Sequence, residues 1–276
     1  MTATPRTLSM GPALLFCPAD RPERYAKAAE RADAVILDLE DAVAPGAKAE
    51  ARRHLQTSTL DPARTIVRIN PLGTPEAAAD LAALAGTGYR TIMVAKAEDA
   101  DAIASLPGYD VVALCESARG VLNAPAIARQ KNVVGLMWGA EDLLASLGGT
   151  SSRGPGGGYR AVALHARSQV LLAAGAHGKA AIDSVYVNIP DLDGLAVETE
   201  DAVASGFAAK ACIHPGQVAV VRAAYVPSPE QVSAAHDVLN AARAAGTGVF
   251  TYQGRMIDGP ILKHAQETLR RASQPN

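Results

Sequence analysis

Aromatic residues are scarce: one Trp, three Phe and seven Tyr amount to 4% of the 276 residues. That leaves little for the stacking platforms of a sugar cleft. Cysteine is almost as rare. Cys17, Cys115 and Cys212 each sit inside a short apolar run, so they read as buried small hydrophobes in a reducing compartment, not as a disulfide framework. The six histidines are scattered, and no His or Cys cluster has the spacing of a zinc site. Neither sign of charge is in excess: 26 basic against 28 acidic side chains give a net −2, which favours neither nucleic acid nor a membrane surface as partner. No apolar run approaches the roughly 20 residues of a membrane span, and residues 1–10 hold no long apolar core. These absences lead to the expectation of a soluble, cytoplasmic protein with no nucleic-acid or membrane partner. No GxGxxG follows the first apolar run, which removes support for a dinucleotide-binding sheet.

What the chain does have is alternation. Short apolar, β-branched runs at 13–18, 34–39, 65–69, 91–95, 111–115, 133–138, 184–188 and 210–213 are strand candidates. Ala-rich amphipathic stretches such as 23–31, 48–56, 74–85 and 118–130 lie between them. Repeated βα units of this kind build a parallel sheet, and eight of them in about 250 residues is the count of a (β/α)8 TIM barrel. The barrel, the catalytic domain, is expected over 1–226. Pro227 and Pro229 then break the chain. A C-terminal α-helical extension over 227–276 follows: a helix near 230–245, a turn at 246–248, a β-like piece over 249–257 and a last helix over 260–271. This extension lies outside the repeat, so it must pack on the barrel or on a neighbouring subunit. The Gly-rich segment 151–159 (SSRGPGGGY) reads either as a solvated loop or as a mobile lid.

Position carries the functional signal. In an α/β barrel the C-terminal ends of the strands converge on one mouth, where the chemistry sits. Here those ends carry Asp38, Glu40 and Asp41, then Arg68 with Asn70, Lys96, Glu116, Asp142 and His214. Burying so many charges without a ligand costs several kcal/mol each, about the size of a whole interaction network. A ring of structural salt bridges is the competing account. Within DLED, period two puts Asp38 and Glu40 on one face and Leu37 and Leu39 on the other. Glu116 and Asp142 come from consecutive βα units, and two adjacent carboxylates with water and a chelating substrate make the oxygen-rich site magnesium prefers. A glycosidase pair is the alternative, against which Arg68 and the missing aromatics count. Arg68 reads as an anion clamp or as a salt bridge to Asp38 or Glu40. Arg21, Arg24 and Lys27 precede or open the first helix and read as phosphate contacts or as a solvated face. His214 orients substrate or caps a strand end.

The motifs FCPADRPERYAKA, VILDLEDAVAP, VRIN, LCESARG, WGAEDL, CIHPGQ and MIDGPIL occur in that order from Phe16 into the tail. Together they closely resemble the citrate-lyase β-subunit-like branch of the HpcH/HpaI aldolase family. The resemblance implies a barrel that makes or breaks β-hydroxyacyl thioesters of the malyl-CoA or citramalyl-CoA type. The small-molecule partners would be an acyl-CoA, with CoA thioester as substrate, and a 2-oxo acid such as glyoxylate or pyruvate. It also implies Mg2+ on Glu116 and Asp142, with Glu116 also lining the substrate site, substrate on Arg68, and Glu40 with Asp41 holding metal-bound water or the base side. Arg21, Arg24 and Lys27 would meet CoA, although this first turn is more basic and Pro-rich than in many relatives. Asp258 in MIDGP would act as catalytic base from a neighbouring subunit, in a homotrimer or hexamer with exchanged extensions; an Asp before Gly-Pro is ordinarily a turn or helix-start residue. Alternatives are a citrate lyase β subunit acting on an acyl-carrier-protein thioester, a free-acid class II pyruvate aldolase, and a non-catalytic barrel acting as a binding module.

Overall fold

The β-branched runs form strands and the Ala-rich stretches form helices. The structure is a computed structural model that describes residues 8, 10–246 and 248–273. Most of the N-terminal stretch 1–10 and residue 247 of the expected 246–248 turn lie outside the described residues. In chain order the elements are β1 (Ala13–Pro18), α1 (Tyr25–Arg31), β2 (Ala34–Asp38), α2 (Lys48–Thr57), β3 (Thr65–Ile69), α3 (Pro75–Ala85), β4 (Thr91–Val94) and α4 (Ala100–Ala104). There follow β5 (Asp110–Cys115), α5 (Ala118–Ala128), β6 (Val133–Trp138), α6 (Ala140–Ser146), α7 (Ala161–Ala176), β7 (Ala180–Asp183), α8 (Leu192–Ser205), β8 (Ala209–Cys212) and α9 (Val218–Tyr225).

β1 to β8 close into a parallel barrel in sequence order. The last strand pairs with the first, Ala13 opposite Lys210 and Leu15 opposite Cys212. Alternate residues fill the interior, among them Leu14, Ile36, Ile66, Met93, Val112, Leu114, Met137 and Ile182. The intervening Val35, Leu37, Val67 and Ile92 are equally buried. Burial on both faces explains why these strands read as continuous apolar runs. Each such side chain contributes about 1.5–3 kcal/mol through the surface it removes from water.

Several helices that leave the barrel mouth are started by side-chain caps. Thr74 accepts from the Ala77 N–H, Ser117 from Gly120 and Asp191 from Gly194. Each cap satisfies a backbone donor that the helix cannot, so the preceding loop is fixed where the site residues sit. The expected seventh strand, 184–188, is misplaced: the strand is Ala180–Asp183. The Val-Tyr-Val run at 185–187 has the stronger β propensity, but pairing with β6 and β8 takes the Ala-rich segment. Residues 184–188 instead form the loop beyond the strand.

Two compact units divide the chain, one ending at Val221 and one beginning at Arg222, so the division lies inside α9. The second unit holds α10 (Pro229–Ala245), a hairpin of β9 (Phe250–Tyr252) and β10 (Arg255–Ile257), and α11 (Gly259–Ala272). The C-terminal helices are therefore present. Ser228 and Gln231 cap α10 reciprocally, and Asp258 caps α11 by accepting from the Ile261 N–H at 3.5 Å. Among the described residues no helix is long and apolar enough to cross a membrane. Cys17, Cys115 and Cys212 are buried; burial pushes the Cys17 thiol up to about 11 and the Cys115 thiol up to about 12.

Candidate active site

The DLED turn is built first. Asp38 closes β2 with 1% exposure and accepts from the Glu40 N–H at 2.9 Å and the Ala42 N–H at 3.2 Å. Lys48 Nζ reaches back to donate to the carbonyls of Leu39 and Glu40 at 2.9 and 3.0 Å and to Asn70 Oδ1 at 2.6 Å. Asn70 in turn donates to the Leu39 carbonyl at 3.0 Å and to Asp80 at 2.7 Å. These partners, from α2 and just past β3, tie the turn to its neighbours.

Arg68 stands on that platform. Its Nε and Nη2 donate to the two oxygens of Asp38 at 2.7 and 2.5 Å, and Nη1 lies 3.2 Å from Glu40 Oε2. The Phe16 ring lies under the guanidinium, 4.8 Å from its centroid. Asp38 takes two of the fork's five N–H groups and fixes its plane. Arg68 makes the salt bridges to Asp38 and Glu40 and also lines the cavity at the mouth.

Lys96 follows β4 with φ +47°, a left-handed backbone that residues other than glycine rarely adopt. That turn aims its N–H at Glu116 Oε1, 3.1 Å away. Its ammonium lies 2.5 Å from Glu40 Oε1 and 3.5 Å from both Asp41 Oδ2 and Asp142 Oδ1. Burial pulls the ammonium down, but the hydrogen bond and charge of Glu40, with the charges of Glu116 and Asp142, outweigh it and hold Lys96 protonated above its usual range.

Glu116 follows β5 with 3% exposure. Its carboxyl is pushed up to about 8, first by burial and then by the neighbouring charge of Asp142, against the pull of Arg68 and Lys96. Gly139, which opens α6, makes room for it: a Cβ there would lie 2.8 Å from both the Cβ and Oε2 of Glu116. The cavity these groups share has a volume of about 200 Å³. Asp38, Arg68, Glu116, Glu141 and Asp142 give its polar wall, and Phe16, Leu114, Met137, Val185 and Ile213 its apolar one.

This arrangement suits a hard divalent ion. The charge of Asp142 raises the proton affinity of Glu116, a strain that a cation would relieve, and the missing Cβ at Gly139 leaves the Glu116 carboxylate clear. Among the described residues no group of three or more His, Cys, Asp or Glu side chains is placed to hold a metal. An ion here would therefore complete its shell with water and substrate.

The other residues singled out in the sequence fall as follows. Glu40 sits behind the cavity, between Arg68 and Lys96, and Asp41 is exposed beside Lys96. Arg21, Arg24 and Lys27 are exposed and none of them lines the cavity. A 3-10 turn, Pro22–Arg24, precedes α1, so the expected helix over 23–31 starts two residues late at Tyr25. His214 caps the short turn after β8, its Nδ1 accepting from the Gly216 N–H at 3.1 Å. One role escaped the sequence: Lys96 as the bridge between Glu40 and the Glu116–Asp142 pair. The Arg68–Asp38 pair is one of the two readings of Arg68 from sequence, whereas nothing local marks the left-handed turn behind Lys96.

A closed parallel barrel with an arginine and paired carboxylates gathered at the strand ends defines a barrel enzyme. The chain belongs to the HpcH/HpaI aldolase/citrate lyase family, whose model matches residues 13–215. A second model, for carbon–carbon bond lyases of the TIM-barrel fold, matches residues 163–274, and the chain is a carbon–carbon lyase. It is 54% identical over 264 residues to a citrate lyase subunit beta-like protein of Mycobacterium tuberculosis, covering 96% of each. To the mitochondrial citramalyl-CoA lyase of Homo sapiens it is 32% identical, covering 95% of this chain and 85% of that one. The crystal structure of CitE from M. tuberculosis in complex with magnesium, acetoacetate and coenzyme A superposes with a TM-score of 0.93 at 54% identity, over 96% of this chain and 99% of that one.

Proposed function

We propose that this chain is a magnesium-dependent lyase that makes or breaks β-hydroxyacyl-CoA thioesters from an acyl-CoA and a 2-oxo acid such as glyoxylate or pyruvate. One observation carries the reading: Glu116, Asp142 and Arg68 face a single small cavity at the barrel mouth. The relatives agree with it, one named a citramalyl-CoA lyase and one holding magnesium, acetoacetate and coenzyme A.

Glu116 and Asp142 would hold the ion, which when bound supplies Lewis-acid polarisation and a template for the 2-oxo acid. Arg68, its plane fixed by Asp38, binds the substrate oxygen that gains charge, a contribution of about 3 kcal/mol for one well-placed donor. Lys96 holds the Glu116 carboxylate through its backbone and offsets the negative charge of Glu40 and Asp142. Glu40, with Asp41, orders water on that side. The apolar wall of Phe16, Leu114, Met137, Val185 and Ile213 excludes bulk water from the carbon that loses its proton. Arg21 and Arg24, solvent-exposed and loosely paired, take the phosphates of CoA together with the exposed Lys27. Asp258 of a neighbouring chain removes the proton next to the thioester carbonyl in synthesis and returns it in cleavage. The working assembly is then a cytoplasmic trimer, or a pair of trimers, in which residues 227–276 pack on a neighbour.

Acetyl-CoA and propionyl-CoA offered with glyoxylate or pyruvate test this directly. Condensation is expected with magnesium and not in excess EDTA, and E116A should be folded and inactive. Full turnover of E116A, or indifference to EDTA, would overturn the reading.

A further inference from the structure

The Gly-rich segment 151–159 has the composition of a lid and the anchoring of a brace. Ser152 is only 2% exposed, and its hydroxyl donates to Glu141 Oε1 at 2.5 Å. Arg153 Nη2 donates to Glu198 Oε2 at 2.7 Å, while its guanidinium stacks on Tyr159 at 3.8 Å and faces Tyr186 at 4.9 Å. The Tyr159 hydroxyl donates to Glu198 Oε1 at 3.2 Å, and its ring meets Trp138 edge-on at 5.1 Å. Glu198 is tied to the barrel wall through Lys210, 0% exposed and 3.0 Å away. Lys210 in turn donates to Asp183 at 2.7 Å, and Asp183 also receives Arg167 Nε at 3.0 Å and Trp138 Nε1 at 2.7 Å. A buried ion network of this density is rigid when complete.

α6 needs such support. Its N-cap is Gly139, which has no side chain to cap with, and Glu116 occupies the space a larger cap would need. No side chain at its N-cap therefore ties down the first turn, which carries Glu141 and Asp142. Ser152 supplies the missing tie from outside, one residue from Asp142.

We propose that Ser152, seated by Arg153 on Glu198, is a positioning residue for the Asp142 carboxylate, and so tunes cation affinity without touching substrate. This rests on the reading of Asp142 as a metal ligand. Supporting groups of this kind are worth about tenfold or more in metal affinity.

The experiment titrates Mn2+ alone into the full-length protein and reads free ion by electron paramagnetic resonance. S152A should bind Mn2+ about tenfold more weakly at an unchanged thermal midpoint, with KM for acyl-CoA unmoved and turnover recovered by added metal. S152T, which keeps the hydroxyl, should restore the affinity. E141A removes the same hydrogen bond from the other side, so E141A/S152A should bind no more weakly than E141A; this comparison stands even if one single variant is poorly folded. Wild-type affinity in S152A, with D142N abolishing binding, overturns the brace and leaves the metal site intact. Wild-type affinity in D142N overturns both.

Discussion

Gly139 shows how a single missing methyl can decide a site. At this N-cap of α6 an alanine Cβ would lie 2.8 Å from both the Cβ and a carboxylate oxygen of Glu116. The crowded neighbour is a buried strand-end residue with little freedom to move away. G139A is therefore expected to fold, since the clash is local to the mouth, and to lose tenfold or more in Mn2+ affinity, an order of magnitude typical of displaced ligand geometry. Isothermal titration of both proteins checks it; equal affinities would mean that the Glu116 carboxylate has more room than its surroundings allow. That Arg68, Glu116 and Asp142 share one mouth was legible from sequence, because strand ends and the segments just past them converge there. Lys96 was visible only as a charge at a strand end, because its left-handed φ of +47° is set by the surrounding loops and not by residue type.

Among the elements, the barrel strands were legible because burial on both faces leaves long apolar runs. β7 was the exception. Its Ala-Ala-Ile-Asp sequence has weaker β propensity than the loop after it, and tertiary pairing decided the matter. The Gly-rich segment shows the complementary limit. Five of its nine residues are Gly or Pro, yet its anchors lie 45 residues away at Glu198, beyond any local pattern. Removing that anchor should release it. E198A is expected to be cut by trypsin after Arg153 at least tenfold faster than the wild type, since cleavage tracks the population of the open segment. Peptide mapping of the first cut reads this, and equal rates would show that Tyr159 and Ser152 hold the segment by themselves.

For the molecule as a whole, the question is whether one chain completes its own site. Asp258 caps α11, which satisfies the ordinary expectation for an Asp before Gly-Pro. If it also serves a neighbour, then D258A and E116A, each inactive alone, should regain activity when their subunits exchange, because some mouths then join an intact metal pair to an intact Asp258. Native mass spectrometry confirms exchange; mixed assemblies as inactive as their parents would refute sharing. The resemblance carried by the motifs gave the family, but a motif cannot show which chain's mouth a tail residue enters.

Barrel closure has one further consequence. β1 is an edge until β8 arrives, and their partners Ala13 and Lys210 are about 200 residues apart in the chain. At the usual pace of translation, about 5–20 residues per second, the first strand leaves the ribosome roughly 10–40 s before its partner exists. Through that interval the free side of Leu14 and Leu15 is an unpaired, strongly apolar ribbon, the kind of edge that pairs with whatever strand it meets. The protein is therefore most exposed to misassembly while it is being made, at the strand farthest in time from completion.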